Sequence, residues 1–206
     1  MPHAFKQLLE RMAQERFPGP STSFSVFHLL LALELISKRT LGRNALSEAL
    51  SVGHGAIRTI IARLEDAGLV EISKAGCSLT EKGLRIWKES ISVLKKTEIE
   101  NNKLTLDRHN FAVLIRNGSD KVQTGIEQRD AAVKAGARNA ITIRMKQGRL
   151  IIPSVSQDVG RDFSEAANQL TELLHPSDND AIVIVGSDGA KKAELGALAA
   201  AWSLLD

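Results

Sequence analysis

Apolar positions divide this chain of 206 residues into segments with different periods. Residues 3 to 17 place Phe5, Leu8, Leu9 and Met12 at the i, i+3, i+4, i+7 spacing of an amphipathic helix, and Pro18-Gly19-Pro20 ends it. Residues 24 to 94 read as helices with a short two-stranded insert. Residues 97 to 108 are polar with scattered apolar side chains, which suits a linker. From Phe111 onward strand and helix patterns alternate. The spacing predicts a strand over 111–115, a helix over 126–135 closed by Gly136, and a strand over 140–144. Lys146-Gln147-Gly148 makes a hairpin turn into a strand over 150–153. A helix over 162–174, a buried strand over 181–185 and a helix over 190–205 complete the chain. The order β-α-β-β-α-β-α matches the ferredoxin-like split βαβ arrangement with one added helix. The fold class is α+β, with an N-terminal domain over 1–96, a linker over 97–108 and an α/β sandwich over 109–206.

The strongest local signal lies between residues 43 and 85. A short helix over 44–50 is followed by Ser51-Val52-Gly53, a turn whose glycine can take a positive φ. A second helix then runs to Ala67, with Ile57, Ile60, Ile61 and Leu64 in one stripe and Gly68 as its stop. Two helices joined by about three residues with a glycine make a helix-turn-helix. Leu69-Val70-Glu71-Ile72-Ser73, Lys74-Ala75-Gly76 and Cys77-Ser78-Leu79 read as strand, turn and strand. Thr80 caps the next helix, which presents Leu84, Trp87, Ile91 and Leu94 inward.

The run Leu69-Val70-Glu71, then Gly76, then Leu79-Thr80-Glu81-Lys82-Gly83 resembles the winged helix-turn-helix transcription regulators, over about 60 residues from Phe24 to Trp87. The resemblance implies a recognition helix that reads duplex DNA. Helical geometry supports the implication independently: with the isoleucine stripe buried, His54, Arg58, Thr59 and Arg63 turn outward. Gly55 and Ala56 at the helix start let its backbone approach a groove, and its free N–H groups attract phosphate. The DNA-binding set is therefore Arg43, His54, Arg58, Thr59, Arg63 and Lys74. Arg58 and Thr59 would read base edges, and Arg43, Arg63 and Lys74 would bind phosphates. A protein-interaction module with a solvated basic face is the alternative reading of the same residues.

Charge sharpens the choice. The net charge is +3. Residues 1 to 100 carry 14 Lys and Arg against 11 Asp and Glu, and residues 101 to 206 carry 13 against 13, so the excess belongs to the first half. Residues 38 to 63 hold Lys38, Arg39, Arg43, Arg58 and Arg63 against Glu48 alone. This asymmetry suits a front half that meets a polyanion. Few aromatics are present and none is Tyr, so a stacking platform for single strands is missing and double-stranded DNA is the expected partner.

In the back half, Arg116-Asn117-Gly118-Ser119-Asp120-Lys121 and Gly186-Ser187-Asp188-Gly189-Ala190-Lys191-Lys192 both place Gly-Ser-Asp between an apolar strand and a helix. Ser187, Asp188, Lys191 and Lys192 are candidate ligands for a small anionic effector, and ordinary turn and cap chemistry explains the same residues. Arg129 and Asp130 form a second candidate, either as a ligand-facing pair or within a surface ion-pair face. With first and last strands antiparallel, the two loops leave at opposite ends of the sheet. The helix over 190–205, with Leu195, Leu198, Trp202 and Leu205, packs either in the core or against a partner chain, and a homodimer would give the recognition helices two-fold symmetry.

Catalysis, cofactors and metals find no support in the motifs. The five histidines are scattered, no HExxH or P-loop pattern occurs, and Cys77 has no evident base. The longest apolar run, over 24–36, is broken by Ser25, His28 and Glu34, so no membrane span is expected and the cytoplasm is the expected compartment. The whole chain also resembles an uncharacterised archaeal family in which a winged helix precedes a domain of unknown function. That resemblance rests on Gly125-Ile126-Glu127-Gln128-Arg129-Asp130-Ala131-Ala132, Lys134-Ala135-Gly136 and Lys192-Ala193-Glu194-Leu195-Gly196-Ala197. It implies transcription-factor architecture and no catalytic residues; the charge asymmetry and the two glycine loops add the expectation of a DNA-binding regulator whose C-terminal domain senses an effector or mediates assembly. An enzyme acting on a phosphorylated small molecule, with an appended winged helix, is the alternative.

Overall fold

The computed structural model describes residues 3–14, 23–105 and 107–205. The chain mixes helix and sheet and divides into two compact units, Met1–Ile91 and Ser92–Asp206. Pro18-Gly19-Pro20 lies outside the described residues.

In the first unit, helix α1 (Ala4–Ala13) buries Phe5, Leu9 and Met12, the stripe its spacing predicts. Helix α2 (Val26–Lys38) starts at Ser25, whose backbone N–H donates to His28 Nδ1 at 3.0 Å. Helices α3 (Arg43–Leu50) and α4 (His54–Asp66) follow. The turn between them works differently from the expectation. Ser51 takes the left-handed conformation at φ 55°, while Gly53 is extended at φ −65° as the cap of α4. The reversal is held by Ser47, whose hydroxyl donates to the Val52 carbonyl at 2.6 Å and whose own carbonyl accepts from Val52 N–H at 3.2 Å.

Strands β1 (Val70–Ser73) and β2 (Gly76–Leu79) form the expected antiparallel hairpin. Leu41 adds an isolated bridge, exchanging both backbone hydrogen bonds with Cys77 at 3.1 and 2.9 Å. Gly76, at φ 127°, lies so close to the Leu41 carbonyl that a Cβ would sit 2.7 Å from it.

Helix α5 (Glu81–Val93) departs from the expected register. Its buried positions are Gly83 and Ser90, whereas Leu84 and Ile91, expected to face inward, are 41% and 49% exposed. Gly83 explains the rotation: a Cβ there would lie 1.9 Å from the Leu69 carbonyl oxygen, so the helix docks through the face without a side chain.

The second unit is built on strands β3 (Leu94–Ile99), β4 (His109–Ile115), β5 (Asn139–Lys146), β6 (Arg149–Ile151) and β7 (Ala181–Ser187). Its helices are α6 (Ile126–Lys134), α7 (Val159–Asp162), α8 (Ser164–Leu174) and α9 (Ala190–Trp202), with a 3-10 turn at Ser119–Lys121. From β4 onward the chain order is β-α-β-β-α-β-α, with the helix before β7 split into α7 and α8. The sheet order is β3-β4-β7-β5-β6, antiparallel throughout.

Two features depart from the expected four-stranded sandwich. Residues 94–99, read as a helix end and the start of a linker, pair with β4 as an added edge strand. Leu94 and Ile99 are buried, which a linker reading of the polar sequence misses. The last strand also takes the centre, between β4 and β5. All seven residues of β7 are buried, and such a strand must be flanked on both edges and covered on both faces.

Side-chain alternation separates the two faces. Ala112, Leu114, Ile143, Ile182 and Ile184 pack with Ala166, Ala167, Leu170 and Leu174 of α8. The opposite face carries Val183 and Val185 beneath α6 and α9, where Gly196 approaches so closely that a Cβ would meet Ala137 Cβ at 2.6 Å. Helix α9 buries residues on every side, including Leu198 and Trp202, so it belongs to the core of this unit.

Gly83→Ala should therefore lower stability by about 1–3 kcal/mol, the overpacking range, because neither α5 nor the Leu69 backbone can yield cheaply. Gly55→Ala in α4, with nothing within 4 Å of the new methyl, should instead raise stability by up to ~1 kcal/mol. Urea midpoints of the two variants check both signs.

Candidate functional site

On α4 the exposed residues are His54, Gly55, Arg58, Ala62, Glu65 and Asp66, a stripe opposite the buried Ile57, Ile60, Ile61 and Leu64. Its N-terminal half is basic or neutral and its C-terminal half is acidic, so only the first two turns suit a polyanion. Arg43 is exposed in the first turn of α3, and Lys74 is exposed in the turn between β1 and β2. Among the described residues none of Arg43, Arg58 and Lys74 pairs with a carboxylate. Thr59 is half-buried, and its hydroxyl donates to the Gly55 carbonyl at 3.2 Å, so its proton serves the helix. Ala56 is buried, which leaves Gly55 alone as the small exposed residue at the helix start.

Arg63 corrects the expected phosphate set. It is only 6% exposed, its Nη1 donates to the Met12 carbonyl at 2.5 Å, and its guanidinium lies 5.1 Å from the Phe24 ring centroid. Standing three residues after Ile60, it falls at the edge of the buried stripe and reaches back to a carbonyl in the last turn of α1. Burial pushes the Cys77 thiol up, against a smaller downward pull from Arg43, so the thiolate is disfavoured there.

The two Gly-Ser-Asp loops of the second unit leave opposite ends of the sheet, because Ile115 pairs with Ala181 and His109 with Ser187. The first loop is structural. Asp180, 2% exposed, accepts from Arg116 Nη1 at 2.5 Å, Asn117 N–H at 3.0 Å and Ser177 N–H at 2.9 Å, while Ser119 N–H donates to the Asn179 carbonyl at 2.8 Å.

The second loop binds its own charges. Ser187 is fully buried and donates to Asp188 Oδ1 at 3.2 Å, and Lys192 Nζ reaches the same oxygen at 3.2 Å. The Lys192 hydrogen bond holds the Asp188 carboxyl below its usual range. Lys191 pairs with Glu194 at 2.6 Å, and Glu194 also pairs with Lys96 of β3. Burial pushes the Glu194 carboxyl up, but Lys96 and Lys191 together hold it below its usual range. Both candidate lysines are thus committed to carboxylates. Arg129 and Asp130 are exposed on α6, away from that loop in sequence, and no ion pair between them is formed. Sequence reasoning missed Asp107, Asn110 and Asn139, whose side-chain oxygens crowd Gly186.

Comparisons with known proteins fit this two-unit organisation. Residues 28–85 match the family model described as the PH0730-like N-terminal domain, and residues 106–204 match a domain of unknown function, DUF4443. Among solved structures, the chain is similar to the hypothetical protein PH0730 from Pyrococcus horikoshii OT3. The two share 26% identity and a TM-score of 0.72, over 88% of this chain and 93% of that one. These matches fit an uncharacterised archaeal family. No curated protein matches. Among the described residues no helix is long and apolar enough to cross a membrane.

Two substitutions separate structural from exposed arginines. Arg63→Ala should cost about 1–3 kcal/mol, because it removes a buried hydrogen bond to the Met12 carbonyl and the contact with the Phe24 ring, whereas Arg58→Ala should change stability by less than ~0.5 kcal/mol. Thermal unfolding of the pair checks the contrast. Glu194→Gln should lower stability at neutral pH by about 1–3 kcal/mol by removing the partly buried charge that Lys96 and Lys191 share. Since the folded carboxyl ionises below its usual value, that contribution is present above about pH 4.3 and is lost as pH falls through the lower folded value. The difference between wild type and variant should accordingly shrink on acidification.

Proposed function

We propose that the chain is a DNA-binding transcriptional regulator whose first unit is a winged helix-turn-helix reading double-stranded DNA. In this reading α3 and α4 are the helix-turn-helix, α4 is the recognition helix, and β1 and β2 form the wing. The observation that carries the proposal is the placement of three uncommitted cations on one run of chain: Arg43 opening α3, Arg58 on the first turns of α4, and Lys74 at the hairpin tip. Helix-turn-helix proteins contact base edges with the N-terminal residues of the second helix, which is where His54, Gly55 and Arg58 are exposed. Arg58 reads a base edge, guanine being the base whose acceptors suit a bidentate guanidinium. Arg43 and Lys74 hold phosphates. Thr59 contributes at most an acceptor lone pair, and Arg63 orders the domain from within.

The second unit, whose elements from β4 onward follow the ferredoxin-like chain order β-α-β-β-α-β-α, acts in this reading as the effector-sensing or assembly domain of a cytoplasmic homodimer. A small anionic effector at the Ser187 loop would compete with Asp188 for Lys192. This competition gives the loop two charge states through which an effector could act.

Fluorescence anisotropy with labelled duplex DNA tests the proposal. Arg43→Ala and Lys74→Ala should each weaken binding on all duplexes alike, and Arg58→Ala should weaken the preferred sequence by about 1–3 kcal/mol and relax its specificity. Equal affinity of all three variants and wild type would overturn it.

A further inference from the structure

Strands β3 and β6 are the two edges of the five-stranded sheet, and they are built differently. β6 has three residues and runs into Pro153 and an isolated bridge between Ile152 and Ser156, features that blunt an edge. β3 keeps an unbroken register with β4 over six residues and contains no proline. An open groove lined by Glu98, Ile99, Glu100, Asn101 and Arg108 lies along its second half. The ladder decides which backbone groups meet the outer edge. Arg116 N–H donates to the Val93 carbonyl at 2.9 Å, so by alternation Lys95, Thr97 and Ile99 turn N–H and C=O toward β4. Leu94, Lys96 and Glu98 turn theirs outward. The Glu98 carbonyl accepts from the Thr97 hydroxyl at 3.1 Å and keeps a second lone pair.

We infer that this edge is the interface for a second copy of the chain, with the two β3 strands pairing antiparallel about a two-fold axis to join their sheets. Such an axis stands perpendicular to the sheet, so each residue lies opposite one on the same face of the copy, and the two numbers sum to an even value. Two registers keep five residues of β3 in the pair, and every other allowed register keeps three or fewer. The register centred on Lys96 sets that lysine against itself, and like charges directly opposite are unfavourable. The register centred on Thr97 places Lys96 opposite Glu98 of the copy and Glu98 opposite Lys96 of the copy. Both of those pairs join residues whose backbone groups turn outward, so each ion pair coincides with a pair of ladder hydrogen bonds. Glu98 is exposed, and Lys96, which already meets Glu194, would lie between two carboxylates. Backbone pairing supplies the attraction and the charges select the register, as in other strand-addition interfaces. The inference gives the homodimer of the proposed function its interface, and it rests on no DNA contact.

Sedimentation velocity of the full chain, without DNA and over a range of concentrations, tests the inference. The mass should rise from 22.4 kDa toward twice that value with concentration. Glu98→Lys, an exposed position, should return the chain to the monomer by setting a lysine against Lys96 of the copy. Two cysteine variants read the register. Thr97 and its copy form a non-hydrogen-bonded pair with Cα atoms about 4.5 Å apart, within disulfide reach, so Thr97→Cys should cross-link under a mild oxidant. Lys95→Cys should not, since its copy lies four residues along the partner strand, about 14 Å away. The natural Cys77 is buried, and wild type gives the background. A chain that stays monomeric at every concentration, a dimer that survives Glu98→Lys, or equal cross-linking of the two cysteine variants would overturn the inference. Circular dichroism shows that each variant remains folded. A dimer that behaves as expected yet binds no duplex DNA would sink the proposed function and leave this interface standing.

Discussion

The second unit depends on one constraint, the complete burial of β7. A strand with no exposed residue needs a hydrogen-bonded neighbour on each edge and a helical layer on each face. Its seven residues pair in full with β4, and Ala181 to Gly186 pair with β5. Ile182 and Ile184 meet α8 on one side, while Val183 and Val185 lie under α6 and α9 on the other. An antiparallel sheet commonly leaves one face to water; here the alternation is apolar on both sides, and both are covered. The same centrality explains the ends of the strand. Once β7 leaves the core, its backbone is surrounded by the polar side chains that open β4 and β5, and Gly186 sits among them.

In the first unit the comparable constraint is steric. Gly83 against the Leu69 carbonyl fixes the rotation of α5, and Gly76 against the Leu41 carbonyl fixes the hairpin on the segment before α3. Arg63 joins α4 to the end of α1 through a buried hydrogen bond and a ring contact with Phe24. These three contacts hold α3, α4 and the hairpin in place without using Arg43, Arg58 or Lys74. In the proposed function recognition and scaffold roles therefore fall to different side chains, with Arg58 exposed and Arg63 buried five residues apart on one helix.

Most elements were legible in the sequence because their periods are strong: the isoleucine stripe of α4, the apolar run of β7, and the Lys146-Gln147-Gly148 turn, where Gln147 and Gly148 both take positive φ. What escaped the sequence depends on partners distant along the chain. Residues 94–99 look polar because only the two ends of β3 are buried, and pairing with β4 decides their state. The face of α5 was misjudged because Leu84 and Ile91 outweigh a glycine in any apolar pattern, yet the glycine makes the closest approach. Arg63 looked outward because a period places charges on the far side, and no period shows a carbonyl left free at the end of another helix. In the candidate site His54 and Arg58 stand exposed as the helical pattern of α4 required, Arg43 and Lys74 are exposed at the start of α3 and in the hairpin turn, and the crowding of Asp107, Asn110 and Asn139 around Gly186 has no local motif.

In the proposed function the exposed cations of the first unit meet a polyanion, and the affinity for one duplex DNA across a range of salt concentrations reads that encounter out. For a complex that neutralises roughly eight phosphates, log K should fall linearly with log salt at a slope near −7. Binding that is unchanged between low and moderate salt, or no binding to duplex DNA at low salt, would contradict the account.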